Sequence, residues 1–579
     1  MFNNLTDISN VLVIGCGGAG LRAAIEAKIN GLQVKILGKR PKNDSHTVLA
    51  AGGINASFAN IDKQDCWEQH FADTYLEGYG LADPKLLEIL VKEAPNLVNE
   101  IDMWGANFER IKNGLLDQRY FGAHTYRRTC YSGDYTGKSI LNALLRKASS
   151  LNIPIFDSQY VTELLIIDQQ CFGAFSFNLY TGERTIHYAD AVILSTGGHT
   201  RIWKRSSSRR NENNGDGYYL GLKAGCELID MEMVQFHPTG MLFPEEMSGT
   251  LVTEAVRGEG GILKNCLGDR YMRKYDPERM ELSTRDKVAI ANYKEIEEGR
   301  GTSNGGVYLH INHKDKDFIQ KKLPKIYRQF IEHQMLDISK NPMEVAPTAH
   351  YSMGGIMIYS DTQSSSIKGL FAAGEVTGGI HGANRLGGNS LAEILVFGKI
   401  AGRSASLFSK NLKSHNRSRD VVLNANENID KLIKKGTELA LPLQNELQNI
   451  MWKYCGVIKN QINLEKAQKK INEIKSASEA IEVNLNDGEF NDLSNTFNLL
   501  ASIQTAEATI LSSLQRKESR GAHQRDDYKE INYKENKNYI VCLKNDEILI
   551  KDRKTEPLSN ELCEVINKTK MIIDFESRL

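Results

Sequence analysis

The hydrophobic pattern near the start of the chain predicts a strand, a helix and a second strand. Residues 11–14 form the apolar run VLVI, and a glycine-rich turn follows it. Residues 21–30 then place apolar positions at helical spacing before a second strand-like run at 32–37. This order is typical of a βαβ unit.

Two later apolar runs repeat the change from strand to glycine. Residues 191–194 lead into Ser-Thr-Gly-Gly, and residues 369–375 read GLFAAGE. Both patterns indicate strands whose ends bring backbone close to a ligand. Three such ends, separated by more than 150 residues, predict a discontinuous binding domain. The insertion between them, at 236–349, is expected to cap the site.

The pattern changes again beyond about residue 412. The chain becomes rich in Lys, Asn and Glu, and its apolar residues recur at helical spacing. These apolar positions are Leu464, Ala467, Ile471, Ile474, Leu493, Phe497, Leu500 and Ile503. We expect a small helical domain here, with a linker at 410–428 before it.

Composition narrows the class of protein. At 579 residues, the chain has room for three or four domains or subdomains and for a buried cofactor. Its 72 basic residues balance 72 acidic ones, which argues against nucleic acid as a partner. The nine cysteines stand singly, so no zinc or iron–sulfur site is expected, and a reducing compartment fits best. No apolar run reaches the length of about 18 residues that predicts a membrane span.

The turn after the first strand has the spacing of a dinucleotide-binding motif. Gly15, Gly17 and Gly20 form Gly-x-Gly-x-x-Gly, which permits a tight turn, backbone approach to a pyrophosphate, and close packing of helix on strand. The second strand ends without the acidic residue that usually binds the adenosine ribose. That departure weighs against NAD and favours FAD. Glu375, at the end of the third strand, could supply the acid instead.

These patterns predict an α/β fold with a Rossmann-like FAD-binding domain and an inserted α+β capping domain, followed by a helical domain and a small C-terminal region. The expected limits are 1–235 and 350–412 for the FAD-binding domain, 236–349 for the cap, 425–520 for the helical domain and 521–579 for the C-terminal region.

Longer motifs carry a resemblance to a known family. SHTVLAAGGI, DMEMVQFHPTG, TEAVRGEGG, STRD, PTAHYSMGGI, HGANRLGGNSLAE and ESRGAHQRDDY occur in this order. The chain thereby resembles the flavoprotein subunit of succinate dehydrogenase and fumarate reductase over nearly its whole length. The resemblance implies that His46 is bonded to the 8α carbon of the flavin. Such a bond prevents loss of the cofactor and, by analogy, raises its potential enough to accept electrons from succinate.

The resemblance also implies a dicarboxylate site, for which arginine's planar fork is well suited. The matching positions are His237, Thr253, Glu254, His350 and Arg385, with Phe121 as a possible packing wall. Ala123 departs from the family's Phe-Gly-Gly loop, in which the second glycine stands at this position.

The implied reaction is hydride transfer between a succinate methylene and flavin N5. Arg285 exchanges a proton at the adjacent carbon, and trans elimination gives fumarate. Because a free guanidinium has a pKa above about 12, we expect a proton relay through Glu254 and Arg257.

The expected cofactor-binding residues come from the glycine turn, the Ser-His-Thr segment and the family's flavin positions. They are Gly15, Gly17, Gly18, Gly20, Lys39, Ser45, His46, Thr47, Gly52, Gly53, Asp216, Glu375, Ser390 and Leu391. A helix that starts near Ser390 could direct its N-terminus at the electron-rich edge of the flavin.

Three alternatives remain open at this point. L-aspartate oxidase shares the fold and several motifs but holds FAD without a covalent histidine, so His46 discriminates against it. A stand-alone soluble fumarate reductase lacks support because the chain has no haem-attachment segment. A non-catalytic FAD-binding partner leaves the grouped His and Arg residues unexplained.

Electrons that leave the flavin need another protein, since this chain has no iron–sulfur ligands. The resemblance implies membrane anchor subunits that reach quinone and an iron–sulfur subunit between them and the flavin. It places this subunit peripherally at the cytoplasmic face of a bacterial inner membrane, with no transit segment visible at the start of the chain. The expected enzyme is succinate dehydrogenase. Fumarate reduction stays open, because both enzymes share the site.

Overall fold

The computed structural model describes residues 5–485, 490–534 and 536–576. The strands are β1 (Leu5–Ile14), β2 (Val34–Leu37), β3 (Ile54–Asn55), β4 (Gln118–Arg119), β5 (Thr129–Cys130), β6 (Ile155–Phe156), β7 (Gln159–Ile167), β8 (Gln170–Asn178), β9 (Arg184–Leu194), β10 (Leu228–Ile229), β11 (Val234–Met241), β12 (Ile262–Lys264), β13 (Val307–His310), β14 (Met343–Ser352), β15 (Gly355–Ile356), β16 (Leu370–Ala372), β17 (Ile458–Lys459), β18 (Gln524–Arg525), β19 (Lys537–Lys544) and β20 (Glu547–Lys554). The helices are α1 (Gly18–Ile29), α2 (Trp67–Glu77), α3 (Pro84–Met103), α4 (Thr136–Ser150), α5 (Asp216–Ala224), α6 (Ala255–Gly258), α7 (Met272–Tyr275), α8 (Arg285–Glu295), α9 (Lys316–Lys322), α10 (Pro324–Gln334), α11 (Asn389–Asn411), α12 (Arg419–Leu432), α13 (Ala440–Tyr454), α14 (Gln461–Ser478), α15 (Asn491–Gln515) and α16 (Asn560–Glu576).

The largest sheet brings the three predicted strand ends together. β6, β2, β1 and β9 lie side by side and run parallel. The end of β9 also pairs in parallel with β16, while its first half pairs antiparallel with β8, which in turn pairs with β7. β1, β9 and β16 therefore end at one edge, where ligands bind in open α/β sheets.

Burial on both faces explains the continuous apolar runs in this sheet. The second half of β1 and the end of β9 are buried beneath helices on one face and other sheet elements on the other. α1 is buried almost throughout, because it is enclosed by the sheet, α4 and α11.

The predicted insertion has its own sheet and its own core. β11, β14, β13 and β12 form an antiparallel sheet in that order, and α6–α10 belong to the same part of the chain. Apolar residues such as Leu263, Val288 and Phe330 form the core between them. The chain enters this region along β11 and leaves it along β14, so the predicted limits near 235 and 349 fall inside paired strands. The domain limits stay predictions.

The region after α11 is helical, as its spacing predicts. α12–α15 pack together and against β7 and β8, and the apolar stripe of α14 is buried. The predicted linker at 410–428 is wrong for most of its length, because α12 already begins at Arg419 and only residues 412–418 lie between the helices. Val422, Ala425 and Ile429 bury one face of α12 against the sheet.

The C-terminal region returns to the first part of the chain. The hairpin β19–β20 extends a sheet with β10 and β15, and α16 packs against α2. Within the described ranges, no helix is both long enough and apolar enough to cross a membrane. The expected fold class is confirmed.

Candidate active site

The turn between β1 and α1 requires glycine at its first and last motif positions for steric reasons. Gly15 has a φ of +116°, and a Cβ there would lie 2.1 Å from the carbonyl oxygen of Ser195. A Cβ on Gly20 would lie 2.0 Å from the carbonyl oxygen of Gly15, so the helix packs directly on the strand end. Gly17 precedes the first turn of α1. The resulting cradle of backbone and helix N-terminus fits the pyrophosphate of FAD.

One cavity extends from this turn to the cap. The predicted residues on its walls are Gly15, Gly17, Gly18, Lys39, Ser45, His46, Thr47, Gly52, Gly53, Phe121, Asp216, His237, Thr253, Glu254, Arg285, His350, Glu375, Arg385, Ser390 and Leu391. Two predicted residues are absent from the wall. Gly20 packs helix on strand, and Arg257 lies behind Glu254, 2% exposed. The structure thus brings the predicted cofactor and substrate positions to a single cavity.

At the end of β2, a lysine stands where the ribose-binding acid is usual. Nζ of Lys39 lies 2.9 Å from Oδ2 of Asp216 and 2.6 Å from Oδ1 of Asn498. Glu375 is half-buried just beyond the end of β16, where its Oε1 accepts a hydrogen bond of 3.0 Å from the amide of Ser352. Burial raises the pKa of Glu375 to about 7. Asp216 therefore contacts Lys39, two residues beyond the end of β2. That Glu375 binds the adenosine ribose stays a prediction.

His46 lies on the cavity wall with a carboxylate behind it. Its Nδ1 is 3.0 Å from Oε1 of Glu212, and 27% of its side chain is exposed. Burial lowers the pKa of His46, but the Glu212 carboxylate more than reverses that effect, so the pKa is raised. Glu212 itself is 7% exposed. Burial favours its neutral form, yet His46 and Arg209 hold its pKa far below the ordinary range.

Arg285, Glu254 and Arg257 form a charged group at the cap side of the cavity, in which Arg257 is buried and the other two are partly buried. Arg285 is the first residue of α8, and its Nε and Nη2 both lie 2.7 Å from Oε2 of Glu254. Nη2 of Arg257 lies 3.5 Å from Oε1 of the same carboxylate, and its Nη1 donates to the carbonyl oxygen of Glu281 at 2.6 Å. Burial would raise the pKa of Glu254, but the two guanidiniums hold it at about 2. Burial lowers the pKa of Arg257.

Gln235 joins this group to Arg385. Its Oε1 accepts from Nη2 of Arg385 at 3.0 Å and from Nη1 of Arg285 at 3.5 Å. Its Nε2 donates to Asn384 at 2.8 Å and to the carbonyl oxygen of Arg385 at 2.9 Å, so the amide is fixed with its oxygen toward both guanidiniums. Arg385 also stacks 4.3 Å from the Tyr351 ring. Burial and the charge of Arg285 lower the pKa of Arg385 to about 10.

Two neutral histidines complete the polar wall. The rings of His237 and His350 lie 5.4 Å apart, and burial lowers the pKa of each well below its ordinary value. The amide of Thr239 donates to Nδ1 of His237 at 3.3 Å, which leaves the ring proton on Nε2 as a donor. Nδ1 of His350 shares a hydrogen bond of 3.0 Å with Oγ of Ser207. Thr253 lies beside them on the cavity wall.

Phe121 forms an apolar wall between the two ends of the site. Its ring lies 6.0 Å from Cζ of Arg285, and a Cβ on Gly52 would lie 2.5 Å from it. Ala123, which replaces a glycine of the family loop, has a φ of +67°. This left-handed backbone costs a residue with a Cβ about 1 kcal/mol, which explains the family's preference for glycine.

The N-terminus of α11 faces the cavity as the sequence predicts. The helix begins at Asn389, and Ser390 and Leu391 line the cavity from its first turn. Gly388 before it has a φ of +89°, and a Cβ there would lie 2.1 Å from Oδ1 of Asn55. The unpaired amides of this first turn carry partial positive charge, which suits the electron-rich edge of a flavin.

Two site residues were missed by sequence reasoning. Gln235 stands in β11, a strand that is buried throughout, and a glutamine in such a run is a detectable signal. Glu212 lies in a polar segment 166 residues from His46, where no local pattern marks it. Across the described residues, no cluster of His, Cys, Asp and Glu could hold a metal ion.

Comparison with known proteins identifies the family. Residues 10–391 match the FAD binding domain, and residues 444–561 match the fumarate reductase flavoprotein C-terminal domain. The chain is 44% identical over 524 residues to a fumarate reductase (CoM/CoB) subunit of Methanothermobacter marburgensis, covering 90% of this chain and 94% of that one. It is 35% identical over 552 residues to the succinate dehydrogenase flavoprotein subunit of Rickettsia conorii, covering 90% and 91%. The structure of Mycobacterium smegmatis Sdh1 in complex with UQ1 superposes with a TM-score of 0.90 at 37% identity, covering 98% of both chains. The chain therefore belongs to the family of succinate dehydrogenase and fumarate reductase flavoprotein subunits.

Proposed function

We propose that this chain interconverts succinate and fumarate in the cavity described above, with FAD joined covalently to His46. The charge of the cap wall carries the proposal. The guanidiniums of Arg285 and Arg257 share the carboxylate of Glu254, and Gln235 links Arg285 to the guanidinium of Arg385. Within the described residues, no carboxylate forms an ion pair with Arg385. The four charged side chains carry a net charge of +2, which complements a dicarboxylate dianion.

The neutral donors on the same wall favour a small substrate with two carboxylates. His237 presents an Nε2 donor, and His350 and Thr253 lie beside it. Neutral imidazoles bind a carboxylate by hydrogen bonds without adding charge, so the positive charge stays with the arginines. Binding both carboxylates at fixed points orients the carbons between them.

FAD, when bound, supplies N5 as the acceptor or donor of a hydride. Arg285 then holds the proton that is exchanged at the neighbouring substrate carbon. Glu254 fixes the orientation of Arg285 through a hydrogen bond from Nε and an ion pair with Nη2, and its ion pair with Arg257 extends the charged group away from the cavity. This group addresses the high pKa of a guanidinium, since neighbouring groups return the proton that Arg285 gives up.

The proposed electron path leads to other proteins. We infer membrane anchor subunits and an iron–sulfur subunit that connect the flavin to quinone, with this chain peripheral at the cytoplasmic face of the inner membrane. Support comes from relatives that are named as flavoprotein subunits. Succinate dehydrogenase is the proposed enzyme. The fumarate-reducing direction is the second candidate, because a relative at 44% identity is named as part of a fumarate reductase.

A substrate panel tests this proposal with the purified FAD-loaded protein and an artificial dye. We expect succinate to reduce the dye, malonate to inhibit competitively, and L-aspartate to give no turnover. Arg285→Gln should abolish the activity, while Arg273→Gln, a change at an exposed arginine of the cap, should retain it. Turnover of L-aspartate in preference to succinate would make the chain an oxidase. Absence of turnover with both substrates would revive a non-catalytic role.

A further inference from the structure

Glu212 is a carboxylate for which the proposed chemistry of the cavity has no use. It is 7% exposed and lies four residues before Asp216, the first residue of α5. Its Oε1 contacts Nδ1 of His46 at 3.0 Å. A buried carboxylate on the far side of a cofactor-facing histidine is an arrangement that orients an imidazole.

The position of Glu212 is fixed by neighbouring residues of this chain. The backbone amide of Arg209 donates to Oε1 at 2.6 Å, and Nη2 of Arg209 donates to Oε2 at 3.1 Å. Arg209 is itself held by Asp44, and Nε of Arg40 lies 3.6 Å from Oε2 of Glu212. These cations keep the carboxylate ionised, so it acts as an acceptor toward His46.

Because the ionised Glu212 can only accept a hydrogen bond, it decides which ring nitrogen of His46 carries the proton. When Nδ1 donates to the carboxylate, Nε2 of the neutral imidazole keeps its lone pair. No described residue hydrogen-bonds Nε2, and the ring lines the cofactor cavity. The second carboxylate near His46 belongs to Glu375, whose Oε1 accepts from the amide of Ser352; among the described residues the hydrogen bond of His46 goes to Glu212.

We propose that Glu212 is a positioning residue for covalent attachment of FAD: it holds His46 as the Nδ1–H tautomer, with Nε2 directed at the flavin. The inference rests on the proposed covalent bond at His46. It assigns the attachment reaction to this chain's own residues and gives the Arg209–Glu212 segment a chemical purpose.

Attachment replaces a C–H bond of the flavin with a C–N bond to His46. A bond forms between Nε2 of His46 and the 8α carbon, and one C–H bond of the 8α methyl group breaks. The electron pair and the proton of the broken C–H bond pass to the flavin ring system, which is thereby reduced and carries a negative charge. The imidazole becomes a cation, which Glu212 stabilises. Two electrons, the proton on the reduced ring and the Nδ1 proton of the imidazolium then pass to an acceptor, either dioxygen or the proposed substrate fumarate, which restores the oxidised flavin and leaves a neutral linked imidazole.

The test measures attachment rather than turnover. Apoprotein is mixed with FAD, samples are denatured at intervals, and protein-bound yellow fluorescence is read on a denaturing gel. His46→Ser should bind FAD but never retain it after denaturation. Glu212→Gln should bind FAD and attach it about 100-fold more slowly, the lower end of the contribution of a positioned proton-holding group. Asp44→Asn, which leaves Glu212 in contact with Arg209 and His46, should attach FAD at nearly the parent rate.

The pH dependence separates this role from a merely structural one. Groups that face His46 are Glu212, Glu375 and Arg209, and Glu212 raises its pKa. Attachment needs the neutral ring, so the parent rate should rise with pH through that raised pKa. In Glu212→Gln the midpoint of the plot of attachment rate against pH should move to lower pH, and the rate reached at high pH should be lower than in the parent.

Three results would overturn the inference. The first is that Glu212→Gln attaches FAD at the parent rate. The second is that the midpoint of the pH profile of attachment is the same in Glu212→Gln as in the parent. The third is that Asp44→Asn slows attachment as much as Glu212→Gln does. If Glu212→Gln fails to bind FAD, the pair Glu212→Asp and Glu212→Asn decides, because the two share length and differ in charge; equal rates would exclude a role for the carboxylate. A parent protein without covalent flavin would refute the His46 proposal itself, and a parent with covalent flavin but no succinate turnover would refute the proposed reaction alone.

Discussion

Replacement of Glu254 by glutamine tests the charge balance of the proposed substrate site. The change keeps the size of the side chain and removes the one negative charge shared by Arg285 and Arg257. The two guanidiniums lower the pKa of Glu254 from 4.5 to about 2. At about 1.4 kcal/mol per pKa unit, the ionised carboxylate contributes about 3 kcal/mol at neutral pH.

The sign follows from the direction of the shift. Because the pKa is depressed in the folded protein, the contribution is present above pH 4.5 and is lost as the pH falls toward 2. Glu254→Gln should therefore lower the free energy of unfolding by about 3 kcal/mol at neutral pH. Urea unfolding of the FAD-loaded protein, followed by tryptophan fluorescence, measures the change. Glu246→Gln, at an exposed glutamate of the same region, is the matched control.

Malonate extends the experiment to function. The variant leaves the guanidiniums of Arg285 and Arg257 without their counter-ion, and a bound dicarboxylate would replace the missing charge. Malonate should therefore raise the unfolding midpoint of Glu254→Gln more than that of the parent. An unfolding free energy within about 1 kcal/mol of the parent, or equal stabilisation by malonate, would refute this account of the cluster.

Other predictions concern the two ends of the cavity. Arg385→Gln should raise the KM for succinate about 10- to 100-fold, since a charge-assisted hydrogen bond contributes about 1.5–3 kcal/mol; an unchanged KM would remove Arg385 from the substrate site. Gly15→Ala should purify without FAD, because its Cβ would lie 2.1 Å from the carbonyl oxygen of Ser195, and flavin content checks this. His237 and His350 have lowered pKa values, so malonate affinity measured by calorimetry should show no imidazole titration between about pH 6 and about pH 8. A rise in affinity as the pH falls through that range, lost in His237→Gln or in His350→Gln, would show that the ring concerned becomes protonated.

Local sequence signals predicted much of the framework. The turn at Gly15 could be inferred because a tight turn demands glycine. Strand β1 before it could be inferred because a buried parallel strand demands a continuous apolar run. The linker prediction at 410–428 failed for a physical reason. Val422, Ala425 and Ile429 are separated by many polar residues, so composition suggested a linker, although their spacing buries one helix face.

The chemistry of the site was less visible in the sequence. Arg285, Glu254 and Arg385 became candidates through motif resemblance, and the structure places them around one cavity. The shared contact with Gln235 depends on strand β11 and helix α8 meeting across the cap, which no local pattern encodes. Glu212 is more remote still, because its partner His46 is set by packing between segments far apart in the chain.

We infer that succinate exchanges a hydride with flavin held in this cavity and that Arg285 handles the proton. Anaerobic mixing of the FAD-loaded protein with succinate, followed by the visible absorbance of the flavin, tests it most directly. We predict that succinate bleaches the parent flavin and that fumarate restores the colour of the chemically reduced protein. Arg285→Gln should keep its bound flavin and show neither change. Bleaching of the variant at the parent rate, or a parent flavin that succinate leaves oxidised and fumarate leaves reduced, would contradict the account.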